Sequence, residues 1–328
     1  MTVSRKKTLI QIISWTLTAV LLGALARYVW RERETFGALL AVSPVHVAIL
    51  CCISLTLSSI DALTRKLIIA RLGKDLTFAD WYGLPMVTNL VSLLVPARGG
   101  LLVGAAYLKK KYDLPLAHFA SMIYGNAVLL ALVLGLEGLL GLLLLGVTRG
   151  AWDARVIGIV AALVVMALVL GLLSGRALKG QSWPIRMLRE ALDGWQMLRS
   201  SPRLLATLAL LIALNSMVFT GWMYVSYRAL GFEVGLLPAF VAGVATQMSF
   251  FFTLTPGNLG VREYVVGFVS LTTGLGFAEG VAVTVLQRAL SSICFLVVGG
   301  AFSLLLYRSL FRAEKAGSAE HTQGTAGE

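Results

Sequence analysis

Two long apolar stretches of this chain are interrupted by proline and glycine, and these breaks constrain its fold more than any other feature. The first break reads Val95-Pro96-Ala97-Arg98-Gly99-Gly100, and the second reads Pro256-Gly257-Asn258-Leu259-Gly260-Val261-Arg262-Glu263. Within a bilayer, irregular backbone is tolerated only where protein or a water-filled cavity satisfies its polar groups. An arginine at that depth is costly and usually marks a substrate or ion site. The breaks therefore predict a transport-type site rather than a simple membrane anchor.

The composition is that of an all-α, polytopic membrane protein. Of the 328 residues, 58% are hydrophobic and 13% are charged, whereas soluble domains average about 45–50% and 25%. The net charge of +12 is scattered over short loops, which indicates membrane orientation and headgroup contact rather than nucleic-acid binding. Cys51, Cys52 and Cys294 lie in apolar segments, as packing residues do. We expect no metal, no cofactor and no catalytic residue, because no nucleotide-binding, zinc or hydrolase motif is found.

The apolar blocks predict six spanning helices, at about 9–29, 44–63, 117–146, 155–175, 204–227 and 278–306. Two further apolar segments, about 82–108 and 236–274, contain the breaks, and each could form two spans or one re-entrant hairpin. The halves beside Pro96 and Pro256 have about 12–20 residues, which is short for a bilayer crossing of about 20 residues.

The distribution of basic residues favours the hairpins. With two hairpins and a cytoplasmic N-terminus, 19 of the 28 Lys and Arg residues lie on the cytoplasmic side, and the far side holds only Arg27, Arg31, Arg33, Arg149, Arg155 and Arg228. A full crossing of the first broken segment would place Lys109, Lys110 and Lys111 outside, against the positive-inside rule. We therefore predict a multi-pass protein of the plasma (inner) membrane with both termini in the cytoplasm.

This topology is an inverted repeat within a single integral membrane domain, residues 1–312. One repeat unit covers about 44–146 and the other about 204–306, with hairpins entering from opposite sides, an arrangement that recurs in transporters. The linker at about 176–203 is predicted to be an amphipathic cytoplasmic helix, with an apolar face formed by Ile185, Leu188, Leu192, Trp195 and Leu198. The polar tail, residues 313–328, is predicted to be disordered.

The breaks supply the candidate headgroup-binding residues. Arg98 precedes Gly99 and Gly100, where a helix could restart with free N–H groups that attract anions, although it could instead cap carbonyls at the hairpin tip. Arg262 could face a lipid phosphate while Glu263 binds an amine or holds Arg262 in place. The alternative is a local ion pair of these two residues.

Two further charged residues lie within predicted spans. Arg288 in the last helix needs a partner or water, unless it reaches the interface. Glu137 in the opposite unit is a candidate partner for Arg288, while the neighbouring Gly135, Gly138 and Gly141 indicate tight helix packing there. Asp61 and Arg65, four residues apart, are expected to pair with each other.

The second break, Pro256 to Glu263, closely resembles the Pro-Gly-Gly-Leu-Gly-Val-Arg-Glu signature of the lysylphosphatidylglycerol synthase transmembrane-region family of flippase-like proteins. The resemblance also includes Leu94 to Gly100 and Arg288, and it covers most of residues 9–306. Asn258 stands in place of the signature's second glycine, which Asn tolerates because it accepts left-handed backbone. The first break departs more, with Leu101 and Gly104 where many members have Glu and Arg.

The resemblance implies lipid transport without a synthase domain. The expected function is movement of a phospholipid or a polyprenyl-phosphate-linked lipid between leaflets through a polar midplane cavity. Its partners would be anionic or zwitterionic phospholipids, or polyprenyl-phosphate-linked glycolipids. The alternative is a non-catalytic membrane scaffold for a separate glycosyltransferase or lipid synthase. An integral-membrane transferase would need Glu137 or Glu263 as an acid–base group.

Overall fold

The computed structural model describes residues 38–94, 99–150, 154–173, 183–252, 258–272 and 274–309, and within these ranges the regular elements are helices. They are α1 (Pro44–Arg71), α2 (Phe78–Leu94), α3 (Gly99–Tyr112), α4 (Leu116–Arg149), α5 (Ala154–Leu172), α6 (Trp183–Arg199), α7 (Pro202–Ala229), α8 (Leu236–Met248), α9 (Val261–Thr272) and α10 (Phe277–Cys294). Short 3₁₀ turns occupy Ala38–Ala41 and Ser249–Phe252. A π-helical segment, Phe295–Gly299, follows α10, and the helix then continues to Ser309.

Four of these helices are long and apolar enough to cross a membrane: Pro44–Arg71, Leu116–Arg149, Pro202–Ala229 and Phe277–Ser309. The predicted all-α polytopic fold is therefore confirmed. The predicted span at 155–175 corresponds to α5, whose apolar part is the shorter Ile157–Leu172. The span predicted at 9–29 and the tail at 313–328 lie outside the described residues, so the total of six spans stays a prediction.

Local sequence sets the ends of the long helices. α1 begins with Pro44 in its first turn, after Ser43, whose hydroxyl accepts a hydrogen bond from the His46 amide at 3.4 Å. Proline suits this position because the first helical amides lack intrahelical acceptors. α4 ends at Gly150, whose φ of 66° is the left-handed conformation that glycine adopts without penalty. These signals are present in the sequence itself.

The first hairpin consists of α2 and α3, which pack against each other and return the chain to the end where they began. Asp80 in the first turn of α2 accepts hydrogen bonds from Lys111 Nζ in the last turn of α3 at 2.9 and 2.8 Å. Tyr107 and Tyr112 of α3 also donate to the Asp80 carboxylate. These bonds join the two ends of the hairpin, as the re-entrant interpretation requires.

The second hairpin consists of α8 and α9, and these helices, of 13 and 12 residues, are too short to cross a bilayer separately. Tyr227 at the end of α7, shortly before α8, hydrogen-bonds Ser270 at the end of α9 at 2.8 Å. The entrance and exit of this hairpin therefore also lie together.

The two hairpins open at opposite ends of α10 and its continuation. Phe277 at the start of α10 packs on Tyr264 of α9, with ring centroids 5.9 Å apart. At the other end, Ser309 hydrogen-bonds Tyr107 of the first hairpin at 2.9 Å. Because this helix has 33 residues, it is about 50 Å long, and it separates the two openings. We call these the first-hairpin end and the second-hairpin end.

The core is divided in the same way. One cluster of buried apolar side chains lies at the second-hairpin end and joins α1, α7, α8, α9 and α10 through residues such as Leu50, Met223 and Val266. Another lies at the first-hairpin end and includes Ile68, Leu108 and Leu208. Because α1 and α7 contribute residues to both clusters, these two helices connect the packing at the two ends of the molecule.

The predicted amphipathic linker is present as α6, and it is attached to the bundle. Leu192, Trp195 and Leu198 are buried, whereas Leu188 is exposed. Trp195 Nε1 and Arg199 donate hydrogen bonds to the carbonyl of Gly171, in the last turn of α5, at 2.9 and 3.0 Å. The last carbonyls of a helix lack intrahelical donors, so α6 satisfies the end of α5 and fixes its position.

Candidate functional site

The turn of the second hairpin is formed around Asn258 and Gly260, which have φ values of 59° and 84°. The left-handed conformation predicted for Asn258 is therefore present. The Asn258 side-chain amide donates to the carbonyl and hydroxyl oxygens of Ser249 at 3.2 and 3.0 Å. These bonds fasten the chain that enters α9 to the end of α8. Pro256 and Gly257, the other predicted break residues, lie outside the described residues.

Glu263 stabilises this turn from within α9. One carboxylate oxygen accepts a hydrogen bond from the amide of Gly260 at 2.7 Å. This is the backward contact of a capping box, in which an acidic third residue satisfies the amide that precedes the helix. The other oxygen accepts from Nε and a terminal nitrogen of Arg288 at 2.9 and 2.6 Å. Glu263 thus links the hairpin to α10.

These contacts correct two interpretations made from the sequence. The carboxylate that pairs with Arg288 is Glu263, whereas the sequence suggested Glu137 as the partner. Likewise, the local ion pair considered for Arg262 and Glu263 is replaced by the pair of Glu263 with Arg288. The reason is the packing of α9 along α10, which brings residues 25 positions apart in sequence into contact. The expected pair of Asp61 and Arg65 is confirmed at 2.7 Å.

Arg262 is buried between α9, α7 and α10, with 8% of its surface exposed. Its guanidinium lies over the rings of Phe219 and Trp222, at 5.9 and 5.7 Å from their centroids. A terminal nitrogen donates to Gln287 Oε1 at 2.5 Å. Gln287 is itself held by the Ser226 hydroxyl, to which it donates at 3.1 Å. Aromatic faces and a neutral amide therefore surround this positive charge.

The charges of this site do not balance. Arg262 and Arg288 bring two positive charges and Glu263 brings one negative charge, which Arg288 engages directly. Among the residues that the structure describes, no carboxylate oxygen lies within salt-bridge distance of Arg262. Within the described part of the chain, the buried donors Arg262 Nε and Trp222 Nε1 have no hydrogen-bond acceptor. Such a site suits an anion with several oxygens, which would supply both the charge and the acceptors.

The first hairpin has a different character. α3 restarts at Gly99, as predicted, and a Cβ on Gly100 would lie 1.9 Å from the carbonyl oxygen of Thr88, so α2 and α3 cross in direct contact. Pro96 and Arg98 lie outside the described residues, and the proposed role of Arg98 stays a prediction. At the opening of this hairpin lies a small cleft of about 30 Å³, partly open to the surroundings, and its lining includes the basic residues Arg65 and Lys66 and the apolar residues Leu101 and Phe119.

Sequence reasoning missed the hydrogen-bond network at the first-hairpin end. Asp80 is completely buried, and it binds Thr77, Tyr107, Tyr112 and Lys111. The sequence does contain a signal for this network once a hairpin is assumed. An acidic residue stands in the first turn of α2, and possible donors stand at the end of α3, namely Tyr107, Lys111 and Tyr112. The network fixes the hairpin opening and does not reach the Arg262 site.

Glu137 lies apart from the other predicted site residues. Its carboxyl lies beside Ser216 of α7, and its Oε2 atom is buried without a hydrogen-bond partner among the described residues. Among the described site residues, the structure therefore groups Asn258, Gly260, Arg262, Glu263 and Arg288 into one cluster, and it places Gly99 and Gly100 in the other hairpin.

The fold and the cluster define a class of protein: a helical membrane protein with two oppositely oriented re-entrant hairpins and, at one of them, a buried arginine beside a partly buried one. Residues 11–300 match the family described as the lysylphosphatidylglycerol synthase transmembrane region, and the chain belongs to this family. It is also 26% identical over 117 residues to the UPF0104 membrane protein MJ1078 of Methanocaldococcus jannaschii. That match covers 34% of this chain and 49%, about half, of the relative.

Proposed function

We propose that this protein moves a lipid with a phosphate-bearing headgroup between the leaflets of the membrane. The observation that carries the proposal is the buried charge of Arg262, which no carboxylate in the described part of the chain neutralises. The name of the family, the transmembrane region of a synthase whose product is a phospholipid, supports a lipid as the ligand. The substrate class is an anionic or zwitterionic phospholipid or a polyprenyl-phosphate-linked lipid.

A phosphate headgroup would supply the negative charge and the hydrogen-bond acceptors that the donors of this site need. Guanidinium groups bind phosphate oxygens through paired, charge-assisted hydrogen bonds. A phosphate beside Arg262 would accept from its free Nε and from Trp222 Nε1. A charge at the centre of a bilayer costs about 2.5–3.5 kcal/mol on insertion scales. Pairing headgroup and Arg262 would offset that cost for both charges, which lowers the barrier to crossing.

The cleft at the first-hairpin end supplies the access for the lipid in this proposal. Arg65 and Lys66 on its rim would attract a phosphate, and its floor of Leu101 and Phe119 would cover acyl chain. This end faces the cytoplasm in our proposal, in the plasma membrane, since the positive-inside rule favours both termini there. A lipid would then pass from the cationic rim of one hairpin to the buried arginine of the other.

The test is the movement of a labelled lipid in vesicles that contain the purified protein. Phosphatidylcholine vesicles would carry a trace of phosphatidylglycerol with a fluorescent headgroup, and dithionite would quench the label exposed on the outer leaflet. We expect the protein to accelerate loss of protection, and Arg262→Ala to slow it at least about tenfold, equivalent to about 1.4 kcal/mol. Arg203→Ala is the matched control, because Arg203 is an exposed arginine at the start of α7.

Each result separates the hypotheses. Equal rates in vesicles with and without the protein would contradict transport and leave the scaffold alternative. If the protein accelerates lipid movement and Arg262→Ala does not slow it, the transport function is supported but the role of Arg262 in binding the lipid is contradicted. A loss shared by Arg262→Ala and Arg203→Ala would point to the fold or to general charge, so both variants are first compared by circular dichroism and gel filtration.

A further inference from the structure

Glu137 carries a carboxyl group inside a spanning helix, and this group takes no part in the cluster around Arg262. It lies near the middle of α4, beside Ser216, which lies near the middle of α7. Oε2 is buried and has no hydrogen-bond partner among the residues that the structure describes. Ionised carboxylates at such depth are rare, and they pair with cations or mark ion and proton pathways.

The surroundings of Glu137 are uncharged in the described structure. Val164 of α5 packs at Gly135, while Val160 of α5 and Val244 and Met248 of α8 pack at Gly138. The charged residues of the helices packed here lie in first or last turns: Arg149 on α4, Arg155 on α5, and Arg203 and Arg228 on α7. α1, α3 and α6 contact α4 near its start, at residues such as Phe119, Ser121 and Gly125.

A carboxylate without a cation at this position would carry a cost for the burial of its Oε2 atom. A proton removes that charge without needing a cage of oxygen ligands. Ser216 can serve either form, because a hydroxyl both donates and accepts hydrogen bonds. Ser216 itself accepts a weak hydrogen bond from Gln247 Nε2 at 3.4 Å, so the carboxyl is connected to α8, the first helix of the second hairpin.

This chain of contacts continues from Gln247 to the cluster around Arg262. Gln247 lies two residues before Ser249, and Ser249 holds Asn258 in the turn. The carbonyl oxygen of Asn258 is 3.4 Å from a guanidinium nitrogen of Arg288. A change at Glu137 can therefore reach the turn of the hairpin through Ser216, Gln247 and the end of α8.

We propose that Glu137 binds a proton within the membrane and that its binding and release drive the second hairpin through Ser216 and Gln247. When the proton leaves, the carboxylate needs donors, and the amide of Gln247 on α8, which already contacts Ser216, can move to supply one. The hairpin then shifts toward α4, and its hold on the headgroup changes. The coupling to lipid rests on the proposed function, whereas the proton site does not.

The proton site is tested directly by infrared spectroscopy of the protein in membranes. A protonated carboxyl gives a carbonyl stretch that is distinct from that of a carboxylate. We expect such a band near neutral pH, its loss in Glu137→Gln and its retention in Glu190→Gln, a control whose carboxylate is exposed on α6. A spectrum in which Glu137→Gln removes no protonated-carboxyl band at any pH between about 5 and 9 would overturn the proposal.

The coupling is tested in the same vesicles with a pH difference of one unit and the electrical potential held at zero by potassium and valinomycin. With one proton per lipid, the wild-type protein should shift the leaflet ratio of the labelled lipid by about tenfold. Glu137→Gln should abolish that shift. Lipid movement that ignores the gradient would refute the coupling and leave the proposed function intact. The infrared band without any lipid movement would refute the proposed function and leave the proton site intact.

Discussion

Replacing Glu263 by glutamine should destabilise the protein strongly, because it removes the carboxylate that pairs with the partly buried Arg288, next to the buried Arg262. The wild-type carboxylate receives two charge-assisted hydrogen bonds from Arg288 and one from the Gly260 amide, and only 4% of its side chain is exposed. Breaking a buried pair by removing one partner costs about 3–5 kcal/mol. We expect a loss in this range for Glu263→Gln.

The matching double variant tests the reason for that loss. Glu263→Gln raises the local charge from one positive unit to two, and adding Arg288→Met returns it to one. The double variant should therefore be more stable than Glu263→Gln alone by about 2 kcal/mol, within the usual range of coupling between contacting residues. Arg288→Met alone should cost less than Glu263→Gln, since it leaves Glu263 near Arg262.

The assay is reversible unfolding in mixed micelles titrated with dodecyl sulfate, followed by tryptophan fluorescence, with Glu190→Gln as the exposed control. A change below about 1 kcal/mol for Glu263→Gln would show that solvent or lipid, rather than the ion pair, compensates Arg288. Additive losses in the double variant would refute the charge-balance explanation, because independent sites add.

Two further predictions concern the first hairpin. Burial alone would raise the pKa of Asp80, but the hydrogen bonds from Lys111 and its other donors outweigh burial and hold the pKa below its ordinary 3.8. The ionised Asp80 therefore stabilises the fold above pH 3.8, and this contribution is lost as the pH falls through the lower folded pKa. Unfolding measured from about pH 6 to 3 should lose this acid dependence in Asp80→Asn. Gly100→Ala should detach α3 from α2, since its Cβ would meet the Thr88 carbonyl at 1.9 Å, and protease sensitivity of the hairpin should rise. Gly221→Ala, in a helix with open space around it, should be neutral or slightly stabilising, and equal effects of the two substitutions would contradict the packing explanation.

The sequence was sufficient to predict the hairpins because their causes are local. Proline at positions 96 and 256 is a residue type that interrupts helices, the apolar halves are too short to cross the bilayer, and the positive-inside rule places Lys109–Lys111 on the cytoplasmic side. The bends at Asn258 and Gly260 also follow from residue type, since Asn and Gly tolerate positive φ. The contact of Glu263 with the Gly260 amide could have been predicted in addition, because an acid at the third helical position commonly reaches back.

The pairing of side chains could not be predicted in the same way. Arg288 had two acidic candidates, Glu137 and Glu263, and the choice depends on how α9 packs along α10. The partners of Asp80 lie 27 to 32 residues away in α3, so its burial appears only when the hairpin is closed. Periodicity and composition determine which segments enter the membrane, whereas charge pairing depends on their relative rotation.

The π-helical segment Phe295–Gly299 has a consequence for the way one helix serves both hairpins. One additional residue in a turn rotates everything that follows by about 100° around the axis. Before it, Gly280 and Gln287 face α9 and α7; after it, Phe302 lies against Gly83 of α2, and Gly299 itself fits against the Met86 carbonyl. Deleting a single residue there would leave the composition and length of the span almost unchanged. It would nevertheless rotate the face that contacts α2 relative to the face that contacts α9 and α7, so that one of the two would face lipid.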